Sequence, residues 1–268
     1  MVALFADQTL RKTLVLKGGT ALHLVSKIDL RLSLDIDFSI PKNIDEPKEY
    51  FDNIEKVLAD HFSKLGHEVF DAGYSKRPKE RADSQPQFWG GWSFEFKLID
   101  KTTTYKDKDE KRRRALVPDG SSSSRIQLEI SEWEYVGSTE NVKIGGSIVT
   151  SYSTALLVLE KLRALCQQHS RYPYGRQKNR ARDYFDIYQL VKRHRSAALY
   201  GELKHHLPAV FGAKEVPVEL LRAIFEPEFV DFQRSHFVSV EATVKEKTEP
   251  FEFYLEQLRL LLADLEYL

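Results

Sequence analysis

Two adjacent glycines leave residues 14–40 little freedom of fold. Leu14, Val15 and Leu16 form an apolar run too short for a helix core, and Gly18 and Gly19 stop it, so it reads as a buried strand ending in a tight turn. Without a Cβ the backbone can turn sharply and come close to a ligand. The sequence TALHLV then starts a short helix with Thr20 near its N-cap, which sets main-chain amides beside open space. After a polar connection, LDIDFSI reads as a second strand. Its period of two puts Asp35 and Asp37 on one face and Ile36 and Phe38 on the other.

Two acids on one face repel each other, and a structural polar position would be met more simply by Ser or Thr, so the pair calls for a cation. Carboxylates suit a hard ion such as Mg²⁺, and two such ions about 3.5–4 Å apart can clamp the attacking and leaving oxygens of a phosphoryl transfer. Amides at a helix N-terminus favour anions, which would set a nucleotide triphosphate between Gly18, Gly19 and the metals. Each part also has a plainer reading: acids on a strand edge that deter pairing, and glycines that merely turn. The order strand, GG, helix, strand with D-x-D is far more specific than either part.

KGGTALHL followed by RLSLDIDFS resembles the first motif of the AbiEii-type nucleotidyltransferase toxins, of the DNA polymerase β-like superfamily, at nearly every position from Lys17 to Ser39. Farther on, RARDYFDIY resembles the family's R-x-[KR]-D-x-[YF]-D-[LI] signature, and Lys161 in EKLRAL matches a functional position. The resemblance implies a mixed α+β fold, with a nucleotidyltransferase-like sheet domain over residues 1–150 and a helical domain over 151–268 that completes the active-site cleft. It also implies an NTP-dependent toxin of a toxin–antitoxin or phage-defence pair, with a separately encoded antitoxin and transfer to an RNA acceptor, the 3′ end of tRNA. In that scheme Asp35 and Asp37 hold Mg²⁺, while Gly18, Gly19 and either Thr20 or Ser33 receive the phosphates. Lys161 neutralises the departing pyrophosphate, and Asp183, ahead of Asp186, is a functional acid.

Glu129, on the alternating strand RIQLEISEWE, is the candidate third acid, as metal ligand or base, with Glu95 in FEFKL competing for the role. For both, the plainer reading is a solvent-facing position. Asp183 and Asp186 have one too, as salt-bridge partners that orient Arg180 and Arg182. Arg171, Arg176, Lys178 and Arg180, with Tyr172 and Tyr174 between them, suit an RNA backbone and a stacked base, or an ordinary solvated loop.

Lys plus Arg and Asp plus Glu both number 40, but the balance is uneven: from Ser196 onward there are 7 basic and 13 acidic residues, against 33 and 27 before it. A basic front with an acidic tail suits a protein that handles nucleotides or nucleic acid. Neither a signal peptide nor a membrane span is read, and a lone Cys166 rules out an internal disulfide, so a reducing cytoplasm is expected. No P-loop, dinucleotide fingerprint or G-x-S-x-G occurs, and His205 and His206 lack the spaced partners of a zinc site. Only MVALFADQTLRKT precedes the first strand, where the family usually carries more helix, so a short or truncated start is expected.

Elsewhere, Tyr50, Phe51, Ile54, Val57, Leu58 and Phe62 recur at helical spacing, which predicts a core helix over Pro47–Leu65. Residues 71–91 read as a loop, WSFEFKLID as a strand, Lys101–Ser124 as a long exposed connector, and Gly145–Gly146 as a hairpin turn. Leu156, Leu159, Leu162 and Leu165 predict a core helix after Ser151, Phe185, Ile187, Leu190 and Val191 a second, and the run from Phe253 to Leu265 a closing one. The rivals to RNA transfer are transfer to a protein side chain and a non-catalytic nucleotide- or RNA-binding module.

Overall fold

A computed structural model describes residues 1–24, 35–80, 86–175, 177–244 and 247–268. Ser33 and Arg176, both expected in the site, lie outside the described residues. The chain starts with α1 (Val2–Ala6) and α2 (Gln8–Thr13), the latter capped by Asp7, whose side chain accepts from the amides of Thr9 and Leu10. β1 (Val15–Lys17) runs directly into α3 (Gly18–Leu24), and β2 (Ile36–Ser39) begins just after Asp35. Next come α4 (Pro47–Lys64), β3 (His67–Arg77), β4 (Gly91–Asp100), α5 (Lys108–Arg113), β5 (Ile126–Ser131), β6 (Thr139–Ile144) and β7 (Ser147–Tyr152). The rest is helical: α6 (Thr154–Cys166), α7 (Ala181–His194), α8 (Ala197–Gly212), α9 (Leu220–Ala223), α10 (Pro227–Ser235), α11 (Val238–Glu241) and α12 (Phe251–Asp264).

The class is the expected mixed α+β. Among the described residues seven strands form one sheet in the order β3-β4-β5-β2-β1-β7-β6, with β2 antiparallel to β1 and parallel to β5. One row across it joins Leu16, Phe38, Ile130 and Trp92, and a second joins Ile36, Leu128, Phe94 and Tyr74. This is the apolar face, and α4 covers it. Phe51 stacks 4.6 Å from Tyr74 and 5.9 Å from Phe94, and Phe62 lies 6.1 Å from Phe96. Burial of Phe51, which is 1% exposed, contributes roughly 1.5–3 kcal/mol. The opposite face carries the polar residues of the same strands.

Two expectations need correction. Residues 71–77 are not loop but the second half of β3. The register shifts between Phe70 and Gly73, and Asp71 has a φ of 48°, a bulge that breaks the period of two and hides the strand in the sequence. The connector after Lys101 also contains a helix, α5, whose cap Asp107 accepts from the amide of Glu110.

The described chain divides into two compact units: Met1–Ala21, Leu32–Glu134 and Glu140–Ser151, and then Leu22–Arg31, Tyr135–Thr139 and Tyr152–Leu268. In the helical unit α6 buries Leu156, Leu159, Leu162 and Leu165 as their spacing predicts, with Ser153 capping the amide of Leu156. Tyr184 and Phe185 of α7 meet Phe251 and Tyr254 of α12 at ring distances of 5.0 and 5.5 Å. Val191, Phe253 and Leu255, expected inward, are only half-buried. Cys166 is buried at the end of α6, and burial pushes its thiol pKa up, so it is an inert core residue. No helix among the described residues is long and apolar enough to cross a membrane.

Candidate active site

Gly18 is the pivot of the sheet unit's polar face. It has a φ of +67°, and a Cβ there would fall 2.1 Å from Oδ2 and 2.8 Å from Cγ of Asp37. Only a glycine admits both the left-handed turn and the carboxylate packed against it. Two residues on, the Thr20 hydroxyl donates to the main-chain carbonyl of Asp35 at 2.9 Å. The start of α3 is thus tied to the residue that leads into β2. Asp35 is exposed and Asp37 half-buried.

Strand register assembles the remainder. Lys17, Asp37, Glu129, Ser93 and Ser75 are successive partners across β1, β2, β5, β4 and β3, and directly paired residues share a face. Glu129 therefore stands next to Asp37 on the neighbouring strand. Glu95 pairs with Gln127, one strand and one step farther from Asp37. Both glutamates have cationic neighbours. Arg77 places Nη1 3.2 Å from Glu129 Oε1 and Nη2 3.8 Å from Glu95 Oε1, while Arg125 lies 3.1 Å from Glu95 Oε2. The side-chain amide of Gln127 also donates to Glu129 Oε1, at 2.7 Å. Lys17, 8% exposed, sets Nζ 3.7 Å from Glu134 Oε1.

Among the described residues no group of three or more His, Cys, Asp or Glu side chains is gathered closely enough to hold a metal unaided. The donor chemistry nevertheless fits Mg²⁺. That ion keeps several waters and binds through one or two carboxylates plus substrate phosphates, and Asp35, just before β2, and Asp37, packed against the glycine turn, offer two.

The helical unit holds a second polar cluster. Lys161 on α6 donates to Asp183 Oδ1 at 2.9 Å and to Asp186 Oδ2 at 2.7 Å, both on α7, and all three residues are under a tenth exposed. Arg180 lies 3.7 Å from Asp183 Oδ2. Burial by itself lowers the lysine's pKa, but the two carboxylates more than offset it, and the net value is raised. The ammonium is thus fixed and fully charged, and it is committed to its aspartates. Arg182 donates to Thr243 Oγ1 at 3.4 Å.

Ahead of α7, Lys178 and Arg180 are exposed, while Arg171, also exposed, pairs with Glu226. Tyr172 cannot stack a base. It is 2% exposed, and its hydroxyl donates to the Lys214 carbonyl at 2.8 Å. Arg77, Gln127 and Lys17 escaped the sequence reading. Arg77 lay in a supposed loop, and only the pairing of β3, β4 and β5 brings it to Glu129.

A glycine turn packed against one acid of a D-x-D pair, with a further glutamate in register on the next strand, is in keeping with the nucleotidyltransferase class that the family match shows. The chain belongs to the AbiEii family: the model described as "Nucleotidyl transferase AbiEii toxin, Type IV TA system" matches residues 1–257. It is thus a nucleotidyltransferase toxin, with an NTP as substrate and a separately encoded antitoxin as counterpart. No curated protein matches. Among solved structures, the chain is similar to a putative nucleotidyltransferase from H. pylori, at 22% identity and a TM-score of 0.49, over 99% of this chain and 91% of that one. It is also similar to an antigenic nucleotidyltransferase-like protein from Paracoccidioides brasiliensis, at 17% identity and a TM-score of 0.38, covering 80% and 90%. A third match is the antibiotic-resistance factor ANT(2'')-Ia, at 15% identity and a TM-score of 0.35, covering 80% and 91%.

Proposed function

We propose that this toxin transfers a nucleotide from an NTP to an RNA acceptor in the cytoplasm, the 3′ end of tRNA, and that it does so with Mg²⁺ at Asp35 and Asp37. The observation that carries this reading is the register of Asp37 with Glu129 beside the Gly18 turn. The amides at the start of α3 receive phosphate oxygens, and Thr20, whose hydroxyl donates to the Asp35 carbonyl, holds that turn in place. Asp35 and Asp37 would hold the ions, with Glu129 as the third acid. Mg²⁺ bound there would neutralise charge on the α-phosphate and lower the pKa of the attacking hydroxyl. That hydroxyl oxygen forms a bond to the α-phosphorus in line as the bond to the bridging oxygen of pyrophosphate breaks, and Glu129 takes its proton. Exposed Lys178 and Arg180 support an RNA acceptor. Lys161 and Asp183 stay in the proposal as a second functional cluster. An ammonium and two carboxylates inside a helical interior are an expensive arrangement that packing alone does not require.

The test is a transfer assay with purified protein, total cellular RNA, Mg²⁺ and each α-radiolabelled NTP in turn. Label should enter tRNA from one NTP, vanish with chelator and vanish in the Asp35→Ala, Asp37→Ala double variant. Label in protein with none in RNA overturns the RNA acceptor, and label in neither overturns the transfer.

A further inference from the structure

Arg77 closes the β3 strand with its side chain across two strands of the polar face. Its Nη1 lies 3.2 Å from Glu129 Oε1, and Glu129 is the register partner of Asp37. Asp37 and Glu129, register partners on neighbouring strands, set two carboxylates side by side on one face, a concentration of like charge that a cation relieves. Arg77 supplies that cation from within the chain. The side chains of Arg77 and Glu129 are 50% and 40% exposed, so their pairing is screened by water and easily exchanged.

We propose that Arg77 is an exchangeable counter-ion for Glu129, which neutralises the third acid until a divalent cation arrives and so sets how much of that cation the site needs. The inference rests on the reading of Asp35 and Asp37 as metal-binding, with Glu129 as the third acid beside them. A guanidinium and a divalent cation a few Å apart raise each other's energy, so occupancy by one opposes the other. Glu129 keeps the neutral donor Gln127 when Arg77 leaves, and Glu95 keeps Arg125 at 3.1 Å. Loss of Arg77 therefore strands neither glutamate, and its consequence falls on the acid beside Asp37.

The experiment is a titration of the purified protein with Mn²⁺ alone, followed by electron paramagnetic resonance, in wild type, Arg77→Ala, Arg77→Lys and the Asp35→Ala, Asp37→Ala double variant. Arg77→Ala should bind Mn²⁺ about two- to five-fold more tightly than wild type. Arg77→Lys, which keeps the charge, should stay near wild type, and the double variant should lose the site. Equal or weaker binding by Arg77→Ala, with an unchanged circular dichroism spectrum, overturns the counter-ion role while wild-type binding upholds the metal site. Absence of Mn²⁺ binding in wild type and Arg77→Ala alike overturns the metal reading and the inference with it.

Discussion

The Gly18 backbone and the Asp37 carboxylate occupy a space that has no room for one more carbon: a Cβ on residue 18 would lie 2.1 Å from Asp37 Oδ2. The glycine turn and the second acid of D-x-D are therefore one steric unit. Gly18→Ala must push the carboxylate aside and also hold alanine at a φ of +67°. A loss of about 1–3 kcal/mol in folding stability is expected, together with at least a hundred-fold fall in nucleotide transfer. Chemical denaturation and the transfer assay check the two separately. An alanine variant with wild-type kcat/KM would mean that Asp37 can move without consequence.

Glu129 and Glu95 share Arg77 but differ in distance from Asp37, which makes them a matched pair for mutation. Glu129→Gln keeps the shape and removes the charge next to Asp37, so kcat should fall a hundred-fold or more. Glu95→Gln, whose register partner is Gln127, should lose less than ten-fold. Initial rates at saturating Mg²⁺ decide the matter. The reverse order of the two effects would assign the third acid to β4.

What the sequence carried plainly was local. Asp35, Asp37, Ile36 and Phe38 alternate over a few residues, and the apolar face of α4 repeats at helical spacing, so the chain need not be folded to see them. The misses depend on distant partners or a broken period. The bulge at Asp71 disguised β3, and with it Arg77, whose position opposite Glu129 follows from two successive pairings, β3 on β4 and β4 on β5. Tyr172 sits among Arg, Pro and Gly and looked exposed, yet its hydroxyl is used by a carbonyl 42 positions away. Lys161 finds its aspartates 22 and 25 positions downstream, where helical spacing gives no hint that they converge.

Glu132 ties the chain after β2 to β4 without joining the site. It is 4% exposed, and its Oε1 accepts from the Ile44 amide at 2.8 Å and from Trp92 Nε1 at 2.9 Å. Glu132→Ala would take this acceptor from the buried Ile44 amide and from the half-buried Trp92 indole N–H. A loss of about 2–4 kcal/mol is expected, read as a lowered urea midpoint with an unchanged slope. A midpoint equal to wild type would show that water replaces the carboxylate.

Lys161 gives a prediction with a pH signature. Its ammonium lies 2.9 and 2.7 Å from buried aspartate oxygens, so Lys161→Met removes the buried cation that the two carboxylates share and should destabilise the protein by about 3–5 kcal/mol at pH 7. The folded-state pKa stands above the ordinary lysine value, because the aspartates more than offset the burial that would lower it. A raised lysine pKa contributes stability that is fully present below the unfolded value, about 10.4, and is lost as pH climbs toward the folded value. The gap between wild type and Lys161→Met should therefore be level from pH 7 to about 10. Above that it should narrow by roughly 1.4 kcal/mol per pH unit, as the unfolded lysine gives up its proton while the folded one keeps it. Urea denaturation of both proteins between pH 7 and 11.5 measures the gap directly, and a gap that narrows below pH 9 would mean that the lysine's pKa is not raised.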